Sequence, residues 1–192
     1  MQGEFYHLQL RLARDEQGAL KELYTILYKK LVHFAHLLVR SRELSEEVVE
    51  DVFIKLWTRR KQAPDIQNLK VYLYVTTKNT ALNYLSKKAS ELTTAPFDFL
   101  DIDLVTIDPS PEQQMITAEM LKKVEEAVES LPPRCKMIFK LIREDGLKYK
   151  EVADILGISV NTIDAQLAIA IKRIGAALLI APSAKMSRKI FF

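Results

Sequence analysis

Cysteine is almost missing from this chain: of 192 residues only Cys135 carries a thiol. A lone cysteine can make neither an internal disulfide nor a cysteine-based zinc site, which fits a reducing compartment. Glycine and proline are scarce as well, at 5 and 7 residues, so a sandwich or barrel would lack its turns. Histidine occurs only at His7, His33 and His36. The last two are three apart and can touch on a helix, yet no cysteine or second carboxylate group accompanies them, so a structural or surface role is expected and no metal site. The longest late apolar run, Ile174 to Ala184, is interrupted by Pro182 and is too short for a bilayer. The N-terminus carries Glu4 in place of a basic and then apolar leader, so a cytoplasmic chain outside the membrane is expected.

Catalytic signatures are missing too. No Gly-rich phosphate loop, His-Glu metal pair or nucleophile elbow is present, and carboxylates such as Glu46 and Glu47 sit on adjacent faces of their helix. No catalytic residue and no cofactor is expected, and the chain does not read as an enzyme.

What is present is a globular balance, 48% hydrophobic and 28% charged residues, dominated by helix formers. The expected fold class is all-α. Net charge is only +3, but it is unevenly spread. Met1 to Leu92 holds 15 basic and 11 acidic residues, Thr93 to Glu112 none and 5, and Gln113 to Phe192 13 and 9. Two mildly basic blocks flank an acidic connector, as suits two nucleic-acid-facing modules, although solvated charge runs have the same appearance. The segment Thr93 to Pro111, with three prolines and four aspartates, cannot continue a helix and reads as an extended linker. The expected organisation is therefore residues 1–92, a linker at 93–112, a second domain at 113–180 and a tail at 181–192.

In the first domain the pattern predicts four helices: about Phe5 to Arg14, Gln17 to Val39, Leu44 to Arg60 with Ser41 or Ser45 as N-cap, and Leu69 to Lys88 behind Asn68. The third has a broad apolar face (Val48, Val49, Val52, Phe53, Leu56, Trp57) and an acidic first half. On the fourth, Val71, Tyr74, Val75, Leu82 and Leu85 share one face. Tyr72, Thr76, Asn79, Asn83 and Lys87 share another, a row of hydrogen-bonders suited to bases or sugar-phosphate and equally suited to water.

The second domain begins with a helix from about Pro111 to Ser130, on which Met115, Ala118, Leu121, Val124 and Val128 alternate at three and four. A helix opened by prolines follows and ends at Gly146. A short helix from about Lys148 to Leu156, a turn at Gly157 and a longer helix capped by Ser159 make a helix-turn-helix pattern, with Val152, Ala153 and Leu156 expected to pack on Ile158, Ile163 and Leu167. Projection buries Val160, Ile163, Leu167, Ala170, Ile171, Ile174 and Leu178. It leaves Asn161, Thr162, Ala165, Gln166, Ile169, Lys172 and Arg173 outside, with amides and hydroxyls early and cations later, as a major-groove reader requires.

Two motifs turn this pattern into a family resemblance. SEEVVEDVFIKLWTRR (Ser45 to Arg60), followed by NLKVYLYVTTKNTALNYLSKK (Asn68 to Lys88), closely resembles the second conserved region of sigma factors. ESLPPRCKMIFKLIREDGLKYKEVADILGISVNTIDAQLAIAIKRI (Glu129 to Ile174) resembles their fourth region. The ordered pair, joined by an acidic linker, resembles an extracytoplasmic-function sigma factor, with the iron-dicitrate-regulator type as a subgroup.

The resemblance implies a promoter-recognition subunit of RNA polymerase that works on promoter DNA. It places Glu47, Glu50, Asp51 and Ile54 against the β′ clamp helices, and the fourth region against the β flap. Arg59 to Gln67, with Arg59, Arg60 and Lys61, would capture a flipped base of the minus-ten strand, and Tyr72, Asn79, Asn83 and Lys87 would hold strand and duplex edge. The outward residues of the last helix would read the minus-thirty-five element. A membrane-associated anti-sigma factor is the further partner implied. Glu50 departs from a usual glutamine, Ser86 from a frequent arginine, and Asn161 and Ile169 from frequent basic residues, each lost cation removing about one phosphate contact. The competing reading is a free-standing helix-turn-helix regulator, which leaves the first domain without a task.

Overall fold

The computed structural model describes residues 5–91 and 123–177, all strands being absent among them. The acidic linker, most of the helix expected from Pro111, Leu178 and the tail lie outside the described residues. The chain divides into an N-terminal and a C-terminal unit.

In the N-terminal unit, α1 (Tyr6–Ala13) and α2 (Gln17–Val39) are joined through Asp15, and α3 (Arg42–Thr58) follows Arg40; both linking residues are left-handed, at φ 65° and 55°. Each turn thus reverses the chain within two or three residues. Ser41 caps α3, its hydroxyl accepting from the Leu44 amide at 3.3 Å, while Ser45 is buried inside the helix and donates back to the Ser41 carbonyl. The cap is therefore Ser41, the earlier of the two candidates. A 3-10 helix (Arg60–Asp65) leads to α4 (Leu69–Glu91), whose start is capped by Asn68 through the Val71 amide at 3.1 Å.

The core gathers Leu8, Leu12, Leu23, Leu27, Leu31, Phe34, Val48, Val52, Leu56, Leu73 and Tyr74, with the Phe34 and Tyr74 rings tilted at 5.3 Å. The buried side of α4 differs from the projected one. Leu69, Leu73, Tyr74, Thr77, Thr80 and Ala81 are buried, whereas Val71, Val75, Leu82 and Leu85 are only partly so. The stripe is offset because two threonines are admitted to it. The Thr77 hydroxyl donates to the Leu73 carbonyl at 2.8 Å, and Thr80 accepts from the Lys55 ammonium at 2.9 Å, so neither is an unmatched polar group.

In the C-terminal unit, α5 (helical at 123–129) precedes α6 (Pro133–Arg143), which starts on Pro133 where a missing N–H costs nothing. Gly146 (φ 67°) ends it, α7 (Tyr149–Leu156) ends at Gly157 (φ 70°), and α8 (Val160–Ala177) begins with the Ser159 hydroxyl accepting from the Thr162 amide at 3.1 Å. The bend from α7 to α8 is 107°, inside the range of about 90–120° for a helix-turn-helix. Ala127, Val128, Leu131, Cys135, Ala170 and Ile174 form one cluster. Ile163 and Leu167 are buried as projected, but Val160 is exposed and Leu156 half-buried, with Ile155 buried in its stead.

Candidate nucleic-acid interface

The first site forms where α3 gives way to α4. The connection from Arg59 to Gln67 is ordered: its RKQAPD segment, with Pro64 inside, winds as a 3-10 helix. Between the end of α3, this turn and the start of α4 lies a cavity of about 250 Å3 lined by Leu56, Arg59, Gln62, Asp65, Ile66 and Tyr72. An apolar floor with a guanidinium, an amide, a carboxylate and a phenol around it can take a flat ring that carries hydrogen-bonding edges. Tyr72 also begins the row that runs along α4 through half-buried Thr76 to exposed Asn79, Asn83 and Lys87.

The three cations expected to act together here are separated. Arg59 lines the cavity. Arg60 lies 4.5 Å from the centre of the Trp57 ring and donates to the Trp57 carbonyl and to Asp15. Lys61 donates to the Ala13 carbonyl at 3.0 Å and to Asp15 at 2.5 Å. Lys61 first, then Arg60, hold the Asp15 carboxyl below its usual range. These two cations thus fasten the turn to the end of α1.

The acidic side of α3 presents Glu47, Glu50 and Ile54, the last 61% exposed, with Asp51 half-buried. Two of the carboxylates that the resemblance places against the β′ clamp helices, Glu47 and Asp51, have a partner within the fold. The Tyr84 hydroxyl, on α4, sits 3.0 Å from Glu47 and 2.9 Å from Asp51. It has one proton for two acceptors, and burial followed by these two carboxylates pushes its ionisation well above the usual phenol range. Glu50 and Ile54 remain on the outer edge.

On α8, Asn161, Ala165, Ile169, Lys172 and Arg173 are exposed, and Thr162 is half-buried with its hydroxyl 2.8 Å from that of Ser159. Gln166 is less outward than projected: it is half-buried, and its Oε1 accepts from the Cys135 thiol at 2.8 Å. Burial raises that thiol above its ordinary range. Among the described residues no group of three metal-ligating side chains occurs.

Two positions went unread in the sequence. Gln9 interrupts an otherwise apolar i, i+3, i+4, i+7 stripe of Phe5, Leu8 and Leu12, and a polar residue on such a stripe is a signal. Tyr84 carries no comparable mark, because its partners depend on the register between two helices.

Residues 23–91 match the family described as Sigma-70 region 2, and residues 121–174 that described as Sigma-70, region 4. The chain belongs to the sigma-70 family, in its extracytoplasmic-function group. It is 26% identical over 164 residues to the ECF RNA polymerase sigma-E factor of Escherichia coli (strain K12), covering 82% of this chain and 85% of that one. The sigma-E factor of Haemophilus influenzae is 25% identical over 167 residues, covering 83% and 88%. Among solved structures, the Bartonella quintana sigma factor RpoE bound to the anti-sigma factor NepR matches with a TM-score of 0.59 at 24% identity, covering 84% of this chain and 97% of that one. CnrH in complex with the cytosolic domain of CnrY matches at 0.56 and 17%, covering 92% and 98%. The sigma factor directs RNA polymerase to promoters and starts transcription there; its cavity lies inside the first matched region and α8, up to Ile174, inside the second.

Proposed function

We propose that this sigma factor opens promoters by seating one unpaired base of the minus-ten strand in the cavity between α3, the 3-10 turn and α4. The observation that carries this reading is the cavity itself, lined by Arg59, Gln62, Asp65 and Tyr72 at the end of the α4 polar row. An unstacked base needs both an apolar seat and groups for its edge, and holding it offsets the few kcal/mol of unstacking. Asn79, Asn83 and Lys87 continue the track for strand and duplex edge. Arg60 and Lys61 serve this site by shaping the turn.

Core polymerase docks on α3, with Ile54 as the apolar anchor against the β′ clamp helices and Glu50 beside it, while Tyr84 holds Glu47 and Asp51 in place. The domain from 113 to 180 presents α8 to the major groove of the minus-thirty-five element and meets the β flap. The domain from 1 to 92 carries the other activities, and the linker at 93–112 joins them. Of the two solved structures, RpoE is bound to the anti-sigma factor NepR and CnrH to the cytosolic domain of CnrY. We extend that partnership to this chain, with a membrane-associated anti-sigma factor and the iron-dicitrate-regulator type as its subgroup. Nucleotide chemistry stays with the polymerase, in the cytoplasm.

Glu50→Lys combined with Ile54→Lys tests the docking face without disturbing the Tyr84 contacts. The double variant should keep its helical signal and lose co-purification with core polymerase. Retention at the wild-type level would remove α3 from the interface.

A further inference from the structure

Helix α1 lies before the stretch matched by Sigma-70 region 2, which begins at residue 23. Yet it is bonded to the turn that shapes the cavity. Gln9 is 1% exposed, and its Nε2 donates to the Ala63 carbonyl at 2.6 Å and the Ile66 carbonyl at 2.7 Å. Both hydrogens of the amide are thereby used on the last turn of the 3-10 helix. The Ala63 carbonyl also accepts from the Ile66 amide at 3.1 Å, so losing Gln9 costs it one of two partners. Ile66 itself lines the cavity, as do Gln62 and Asp65 on either side of Ala63. A six-residue 3-10 helix is long for its kind, because its hydrogen bonds are poorly aligned, so outside support matters more here than in an α-helix. Asp15, holding Arg60 and Lys61, ties the other end of the same turn to the end of α1.

We propose that Gln9 is a positioning residue for promoter opening: it fixes the turn so that Gln62, Asp65 and Ile66 keep the shape of the base-holding cavity. The inference rests on the base-capture reading above. Gln9 touches no DNA, and its effect passes through the Ala63 and Ile66 carbonyls.

The test couples Gln9 to the captured base. Holoenzymes carrying wild-type or Gln9→Met sigma factor are compared on promoters with an abasic nucleotide placed at each opened non-template position in turn, with permanganate reactivity as the readout of opening. The wild type should show one position at which loss of the base sharply reduces opening. Gln9→Met should reduce opening about tenfold on the intact promoter, as two lost hydrogen bonds allow, with core affinity unchanged. At the sensitive position the abasic substitution should then cost it little more, since contacts acting as a unit are non-additive. An equal fold loss from the abasic site in both holoenzymes overturns the positioning role. Absence of any sensitive position in the wild type overturns base capture, and the role with it. Asp15→Ala guards against a folding failure in the buried variant: at an exposed position it should give a smaller, likewise non-additive loss, and full additivity would count against the proposal in the same way.

Discussion

At the scale of single residues, the sharpest electrostatic feature is Lys136, which is 1% exposed on α6. Its ammonium meets Glu129 at 2.8 Å, and the other Glu129 oxygen takes Lys140 at 3.0 Å. Burial acts to raise the Glu129 carboxyl, but Lys136 and Lys140 outweigh it and hold the group below its usual range. A carboxyl so depressed contributes stability that is complete above the ordinary carboxylate range and lost as pH falls through its lowered value. Glu129→Gln leaves the buried ammonium without its counter-charge, a change that costs about 3 kcal/mol when one partner of a buried pair is removed. Denaturant unfolding of the full chain at neutral pH should show that loss in the transition of the C-terminal unit. The variant should also lose the part of the acid dependence that Glu129 supplies. Unchanged stability at neutral pH would mean that water, not Glu129, satisfies Lys136.

At the scale of elements, α8 separates two kinds of contact by position. Base edges are reached from the first turns of a recognition helix, where Asn161 and Ala165 stand exposed. Arg173 is thirteen residues after Val160, about 20 Å along the axis at 1.5 Å per residue. It is therefore expected on the phosphate backbone. Arg173→Ala should weaken holoenzyme binding on all promoter sequences alike and lower the salt slope by about one contact, whereas Asn161→Ala should blur preference at one base of the upstream element. Gel or anisotropy titrations on a set of substituted promoters distinguish the two. A change in base preference for Arg173→Ala would place that side chain in the groove floor.

The same elements show what a sequence can display. Caps such as Ser41, Asn68 and Ser159, and the left-handed glycines 146 and 157, act through neighbouring residues, so helix ends were legible. The face of α4 was not, because periodicity counts threonine as polar while Thr77 and Thr80 are buried with partners on the same helix and on α3. The exposed row of α4 and the outward residues Asn161, Ala165, Ile169, Lys172 and Arg173 were readable from spacing. The partnerships of Gln9 with Ala63, Tyr84 with Glu47 and Cys135 with Gln166 join residues far apart in the chain, and only the packed fold supplies them.

At the scale of the whole molecule, charge decides how the chain can use DNA. Residues 113–180 hold 10 basic and 9 acidic side chains, a net charge of +1. Non-specific binding to duplex is almost wholly phosphate neutralisation with counterion release, so a module this close to neutrality has little affinity to offer by itself. Residues 1–92 are more basic, at net +4, but the five carboxylates between Thr93 and Glu112 offset that charge within the same chain. The sigma factor alone should therefore bind promoter duplex only weakly, at about micromolar or weaker affinity in physiological salt. Holoenzyme should bind far more tightly and with a steeper salt slope, because the polymerase supplies most of the phosphate contacts. A free-standing regulator with the same helix-turn-helix would behave in the opposite way, reaching about 10 nM on its own site without core. Fluorescence anisotropy of a labelled promoter, titrated with the chain alone and with holoenzyme at several salt concentrations, compares these outcomes directly. Tight, sequence-specific binding by the isolated chain would mean that α8 acts without polymerase, and that the charge balance of the chain does not restrain it.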